Sequence, residues 1–453
     1  MTLAPDRATS LSPHPRREIS PTEPHKEGTV HTAVPHHDIN SRLALTSADP
    51  RPQRPEFKRS GRPNPAYHLS PEDIEAIGRE CEEIRDEVMA SRGERDAAYI
   101  RRVIKIQRGL ELGSRAVLLF SGVKVRGIRP AWWIGTAGLS IAKILENMEI
   151  GHNVMHGQWD WMRDPKIHST AWEWDNASPS SQWKHSHNQI HHTFTNVLGR
   201  DNDLGYGILR VDEDQKWSLF ALFQPIWHVG NALVFEYSIA AYDLELGGYM
   251  AKKKRMSEED KAEFRANAQE VVQKIKQQAT KDYLVAPALS VVGGTRAVRG
   301  TLTANIVANL VRNLWTNTVI ICGHFPPGIA TFEKQSIEGE TRGEWYVRQM
   351  LGSGNISGSK AMHVLTGNLS HQIEHHLYPD MPSNRYAEIA PRIRDLMDRY
   401  DLPYVTGPLW KQAASVYWKV VQLSLPNKVE GRRRRDIIRL EIKKAQRKRK
   451  LGR

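Results

Sequence analysis

Cysteine is close to absent from this chain, whose 453 residues include only Cys81 and Cys322, far apart and in dissimilar contexts. So few thiols rule out a disulfide framework and suit a reducing cytoplasm. The first residues have no apolar core of signal-peptide length, so no secretory signal is expected. Long uncharged apolar runs are also few, and a mean hydropathy of −0.54 excludes a transporter of many spans. Nothing divides the sequence into separate globular units, although its length alone would admit two or three. The expected organisation is a disordered Pro-rich tail over residues 1–69, one folded unit over 70–426 and a basic tail over 427–453. Up to about Pro65 there are too few apolar residues to offset the entropy of ordering.

Histidine, by contrast, is grouped. His152 and His156, then His187, His191 and His192, then His371, His375 and His376 repeat one spacing: a pair four residues apart, joined in two cases by an adjacent third. On a helix that spacing stacks both imidazoles on one face, where they bind a single metal ion. Eight imidazoles exceed what one ion holds, since zinc takes about four ligands and open iron sites about five or six. The count points to two metal ions in a nitrogen-rich cage.

The three boxes, H-N-V-M-H, H-N-Q-I-H-H and H-Q-I-E-H-H, come in an order and spacing that resembles the membrane fatty-acid desaturases. Flanking words strengthen the likeness, among them E-N-M-E-I-G-H-N-V-M-H (146–156), W-E-W-D (172–175), C-G-H-F-P-P (322–327) and H-Q-I-E-H-H-L-Y-P (371–379). They are similar to the actinobacterial acyl-CoA Δ9 (stearoyl-CoA) desaturases in particular, over roughly Pro71 to Leu425. The resemblance implies an all-α fold of integral membrane helical hairpins, about four crossings, under a cytosolic helical cap that holds a di-iron site. It also implies a cell-membrane location with the site and both tails cytosolic.

Along the chain, Ser70-Pro71-Glu72-Asp73 reads as a helix start, followed by Ile74, Ile77, Cys81, Ile84 and Val88 at amphipathic spacing. Ala131–Leu145 is apolar enough to enter a bilayer, and its extension delivers the first box. Boxes sharing one site must lie on one side of the membrane, so an even number of crossings is expected between His192 and His371. Leu302–Cys322, about 30 Å as a helix, supplies one. The other is Leu219–Tyr242 or the stretch 283–300; the second keeps the Lys-rich helix Ser257–Lys281 cytosolic and is preferred, leaving Leu219–Tyr242 against the interface.

Asn305, Asn309, Arg312, Asn313 and Asn317 form a polar stripe on the Leu302–Cys322 helix that should face inward. If the helix continues, His324 projects within about 20° of Asn317, which makes it a ninth ligand candidate. The resemblance supports this, since animal relatives use a histidine there. They also use an asparagine four residues earlier, where this chain has Ile320.

Other histidines have duller expectations. His185 is about 200° around a helix from His187, and His168, His228 and His363 lack a partner at ligand spacing. Those of the N-terminal segment, His14, His25, His31, His36 and His37, sit among prolines. Glu374 is offset from the ligand face of its box. Asp201 and Asp203 are either partners that orient imidazoles or members of an Asx-turn loop.

Imidazole alone does not choose between iron, zinc and copper. The resemblance implies two Fe ions that use O2 to remove two hydrogens from adjacent methylenes of a long-chain acyl thioester, acyl-CoA favoured, giving a cis double bond at Δ9. A membrane di-iron hydroxylase of alkane, sterol or carotenoid type is the alternative. No H-P-G-G word, iron–sulfur cysteine pattern or nucleotide-binding glycine loop is present. The electron donor is therefore expected to be a separate protein, and the resemblance implies an NAD(P)H-dependent flavin oxidoreductase, with or without ferredoxin. The net charge of +13 is concentrated in Arg432–Arg453, where twelve Lys or Arg against Asp436 and Glu441 leave an excess of ten. Such a run is either drawn to the anionic head groups of the lipid bilayer or merely solvated, and nucleic acid is not an expected partner.

Overall fold

The computed structural model describes residues 64–201 and 203–450. The expected N-terminal tail lies outside the described residues as far as residue 63. Ala66 and Leu69 are buried in the core, so the folded unit begins before residue 70.

The helices include α1 (Pro71–Ala90), α2 (Glu94–Leu118), α3 (Pro130–Ile144), α4 (Gln224–Leu233), α5 (Phe235–Asp243), α6 (Glu258–Ala279), α7 (Thr295–His324), α8 (Arg342–Leu351), α9 (Gln372–Leu377), α10 (Tyr386–Arg399), α11 (Leu409–Leu423) and α12 (Arg434–Lys450). A short parallel pair, β1 (Asn355–Ser357) and β2 (Thr406–Pro408), interrupts an otherwise helical fold.

Helix α1 starts where its capping residues dictate. Asp73 N donates to Ser70 Oγ at 3.1 Å and Ser70 N to Asp73 Oδ2 at 2.9 Å, so two orphan amides at the helix start are satisfied reciprocally. Its apolar face, Ile74, Ile77, Cys81, Ile84 and Val88, is buried against α8 and α10 in the largest core. Helix α8 comes so close to α1 that a Cβ on Gly343 would lie 2.4 Å from the Ile74 carbonyl oxygen. Only glycine permits that approach.

Helix α3 runs directly into a π-helix over Leu145–His152, as the sequence led one to expect of a box delivered by an apolar helix. Leu219–Tyr242 is instead broken at Val234 into α4 and α5, and 283–300 is broken at Gly294. All five members of the polar stripe on α7 are buried. Asn309 donates to Asp282 at 3.1 Å and to the Tyr283 hydroxyl at 2.9 Å, while Arg312 pairs with Glu236 at 2.6 Å.

Among the described residues no helix is long and apolar enough to cross a membrane. The expected crossings thus do not appear as uninterrupted apolar helices. The reason is visible in α7, whose thirty residues carry the inward stripe, and in α3, which spans only fifteen before the π-helix begins.

Candidate metal centre

The boxes converge. His152, His156, His187 and His375 place one ligand atom each within 4.8 Å of one another, and His191, His324 and His376 do the same. His192 lies between the two groups, its ring 4.7 Å from that of His156, 4.8 Å from His375 and 4.5 Å from His376, centroid to centroid. His187, His191 and Asp203 form a third overlapping set. Trp183 stacks on His187 at 4.4 Å and also meets His152 and His156, closing one side with an apolar wall.

Local backbone explains the placement. The first box starts at the end of the π-helix Leu145–His152 and continues through an α-turn to His156. The second has His187 and His191 on a π-helix, Lys184–His191, with His192 just after it, and His324 ends α7 on the face of Asn317. The third box departs from its expected geometry. Helix α9 begins only at Gln372, and His371 is its cap residue with non-helical backbone (φ −103°, ψ 58°). Stacking at four-residue spacing requires both residues to be helical, so spacing alone does not bring His371 to the cluster, and it belongs to neither group although its Nε2 is buried without a hydrogen-bond partner. Gln372 faces the centre in its place, its amide nitrogen 3.0 Å from Nε2 of His324.

Buried nitrogen is left over at this centre. Nε2 of His187, His191, His375 and His376 and both ring nitrogens of His192 are out of water and without a hydrogen-bond partner. Buried polar atoms are normally paired, and leaving one unpaired costs on the order of 1–3 kcal/mol. A set of imidazole nitrogens aimed at common points is the donor set of a borderline transition metal, so the residues fit such ions.

The distal nitrogens are held from outside. His191 Nδ1 donates to Asp201 at 2.9 Å and His187 Nδ1 to Asp203 at 3.1 Å. His376 Nδ1 lies 3.1 Å from Thr195 Oγ1 and 3.2 Å from Gln349 Oε1, and Gln349 also donates to the His192 carbonyl at 3.0 Å. Such bonds fix the tautomer and leave Nε2 for a metal. Both readings of the 201–203 loop hold at once, because Asp201 also accepts from Asn196 N at 2.7 Å and Asp203 N at 2.8 Å.

Electrostatics favour neutral rings. Burial, then the neighbouring histidines, pushes His192, His375 and His376 well below the ordinary imidazole range. Burial lowers His152 to about 3. His191 differs: burial opposes its charge, but Asp201 and Asp203 outweigh that and raise it to about 9. Metal binding there has to displace a proton.

Three of the remaining histidines make local hydrogen bonds: His185 bonds Gln189 at 2.9 Å, His168 bonds Thr170 at 2.9 Å, and His363 bonds Ser370 at 2.7 Å. His228 is buried on α4 with Nδ1 unpartnered, and His14, His25, His31, His36 and His37 lie outside the described residues. Glu374 is directed to Asn355 at 2.8 Å and the Tyr404 hydroxyl at 2.9 Å. Thr195, Gln349 and Tyr386 carry no spacing signal and were not foreseen, nor was Gln372, although it stands four residues before His376 on one helix. Their roles depend on contacts between distant segments.

Comparison with known proteins agrees with this geometry. The fatty acid desaturase family profile matches residues 130–408, which include all three boxes and His324. The NADPH-dependent stearoyl-CoA 9-desaturase of Mycobacterium tuberculosis is 48% identical over 361 residues, 80% of this chain and 82% of that protein. The sn-1 linoleoyl-lipid 6-desaturase of Synechocystis is 24% identical over 307 residues, 66% of this chain and 80% of that protein. With the profile spanning most of the chain and its histidines gathered into one buried cluster, this protein belongs to the fatty acid desaturase family.

Proposed function

We propose that this chain is a membrane-bound, O2-dependent acyl-CoA desaturase that introduces a cis double bond at Δ9 of a saturated long-chain acyl thioester. The observation that carries the reading is the pair of buried imidazole groups with His192 between them, in a chain so similar to a stearoyl-CoA 9-desaturase. Two iron ions held by His152, His156, His187 and His375 and by His191, His324 and His376, with His192 between, would supply the O2 activation that unactivated methylenes require. The chain's own residues hold those rings by their distal nitrogens and exclude water. Trp183, Trp174 and Met155 form an apolar cluster beside the first group. Electrons come from NAD(P)H through a separate reductase, in keeping with the NADPH dependence in the mycobacterial relative's name.

A cell-membrane location is part of the same proposal. It is supported by large apolar side chains left in solvent on α3 (Trp133, Ile134, Ile141), on α7 (Ile306, Leu310, Leu314) and between them in the chain (Leu289, Val291, Val292, the last 80% exposed). Large apolar side chains exposed together mark a membrane or a partner surface. The bilayer reading has α7 turn its polar stripe inward and its apolar side to lipid.

The test is gas chromatography of fatty-acid methyl esters from a desaturase-deficient host expressing this chain. A new Δ9 monoene that disappears with His375→Ala is expected. A hydroxylated product would transfer the reading to the hydroxylase alternative, and no new product would overturn it.

A further inference from the structure

We propose that Gln158 and Tyr386 are positioning residues that hold two ligands of the first metal group, His152 and His375, through one hydrogen-bonded relay. The inference rests on the metal reading above and adds residues outside the boxes.

The relay is continuous. His152 Nδ1 lies 3.1 Å from Asn153 Oδ1, that oxygen lies 3.3 Å from Gln158 Nε2, Gln158 Nε2 lies 3.0 Å from the Tyr386 hydroxyl, and that hydroxyl lies 3.2 Å from His375 Nδ1. Asn153, Gln158 and Tyr386 are fully buried, so water does not substitute for any link. Residues from the first box, the loop after it and the start of α10 thus meet behind two imidazoles from different boxes.

Donor and acceptor roles follow from the surrounding bonds. The Asn153 amide nitrogen donates to the carbonyls of Glu149 and Gly367, each at 3.1 Å, so its oxygen must be the atom facing His152 and Gln158. Gln158 Oε1 accepts from Ser383 N at 2.9 Å, so its amide nitrogen faces Asn153, Tyr386 and the Pro379 carbonyl, the last at 3.1 Å, and shares its two hydrogens among the three acceptors. The Tyr386 hydroxyl gives its hydrogen to the Tyr378 carbonyl at 3.0 Å and accepts from Gln158. One lone pair is left for His375, so His375 Nδ1 must donate. His152 Nδ1 must likewise donate to Asn153. Both rings are thereby locked as the Nδ1–H tautomer, with Nε2 as the only ligand atom.

The second group is held by different residues, Asp201 for His191 and Thr195 and Gln349 for His376. Loss of the relay should therefore weaken one metal and spare the other. Loss of such a supporting bond typically costs 10–100-fold in metal affinity.

The experiment uses the full chain in lipid nanodiscs, stripped of metal and titrated with Fe(II) against a chelator, and with Co(II) followed by its visible absorption. Wild type should take up two ions. Tyr386→Phe, which removes one oxygen, and Gln158→Glu, which keeps the size but removes the amide donors, should each weaken one ion by 10–100-fold and shift one component of the Co(II) spectrum. The double variant should be no weaker than the worse single one, since both cut the same chain. Unfolding temperatures of the metal-free proteins separate positioning from folding. If wild type binds two ions and both single variants bind them with unchanged affinity and spectra, or both ions weaken equally, or the two losses add, the relay is wrong while the metal reading stands. Variants that unfold earlier without metal yet bind normally would also refute it. Wild type that takes up no ion would overturn the metal reading together with the relay.

Discussion

The rings of His363 and His371 face each other with centroids 4.6 Å apart and planes inclined by 34°, in a pair that belongs to neither metal group. His375, four residues after His371, is instead fully buried in the first group.

The two box histidines should therefore behave differently. His375→Ala is expected to abolish activity and lose at least one metal. His371→Ala should retain both metals, as should His185→Ala, with most of the activity kept in the His185 variant. Metal content and product yield of the three purified variants check this; equal loss of metal in His371→Ala and His375→Ala would return His371 to the ligand set.

Glu149 predicts a pH dependence. It is fully buried, accepts from Tyr99 at 2.9 Å, Ser383 at 2.8 Å and Asn368 at 2.9 Å, and burial outweighs these bonds to raise its pKa to about 8. Because the folded value lies above the unfolded one near 4.5, the folded state holds the extra proton between them. That stability is complete below about pH 4.5 and is lost as pH rises through about 8. Glu149→Gln should flatten the fall in unfolding temperature across this window, and an unchanged profile would count against the assignment.

Two glycines should respond to alanine with opposite signs. A Cβ on Gly293 would lie 2.0 Å from the Leu119 carbonyl oxygen, a backbone atom that has no freedom to yield. Gly293→Ala is expected to destabilise by about 1–3 kcal/mol, as overpacking does. Gly109, within α2, has nothing within 4 Å, and Gly109→Ala should stabilise by about 0.5–1 kcal/mol by favouring helix. Thermal unfolding of both variants decides the point.

Arg312 and Glu236 form a buried ion pair at 2.6 Å. Removing one partner leaves the other charge buried, so Arg312→Leu should cost about 3–5 kcal/mol. Replacing both residues by apolar ones of similar size should restore much of that loss. Chemical unfolding of the single and double variants measures it, and a single variant as stable as wild type would show the pair to be dispensable.

Much of this protein was readable from its residues alone. Box spacing announced a cluster of histidines able to hold metal because helical periodicity converts sequence distance into direction, and Ser70 and Asp73 marked a helix start because capping is local chemistry. The inward stripe from Asn305 to Asn317 was equally legible, since one face of one helix carries it. At His371 that logic reached its limit. The spacing rule holds only inside a helix, and the chain leaves helical geometry one residue before Gln372. Which histidines share a group, and which of Asp201, Thr195, Gln349 and Tyr386 supports each ring, were settled only by packing. These partners lie from ten to 181 residues from their rings in the chain. No local periodicity encodes such distances; they arise when the burial of separate apolar faces brings those segments together.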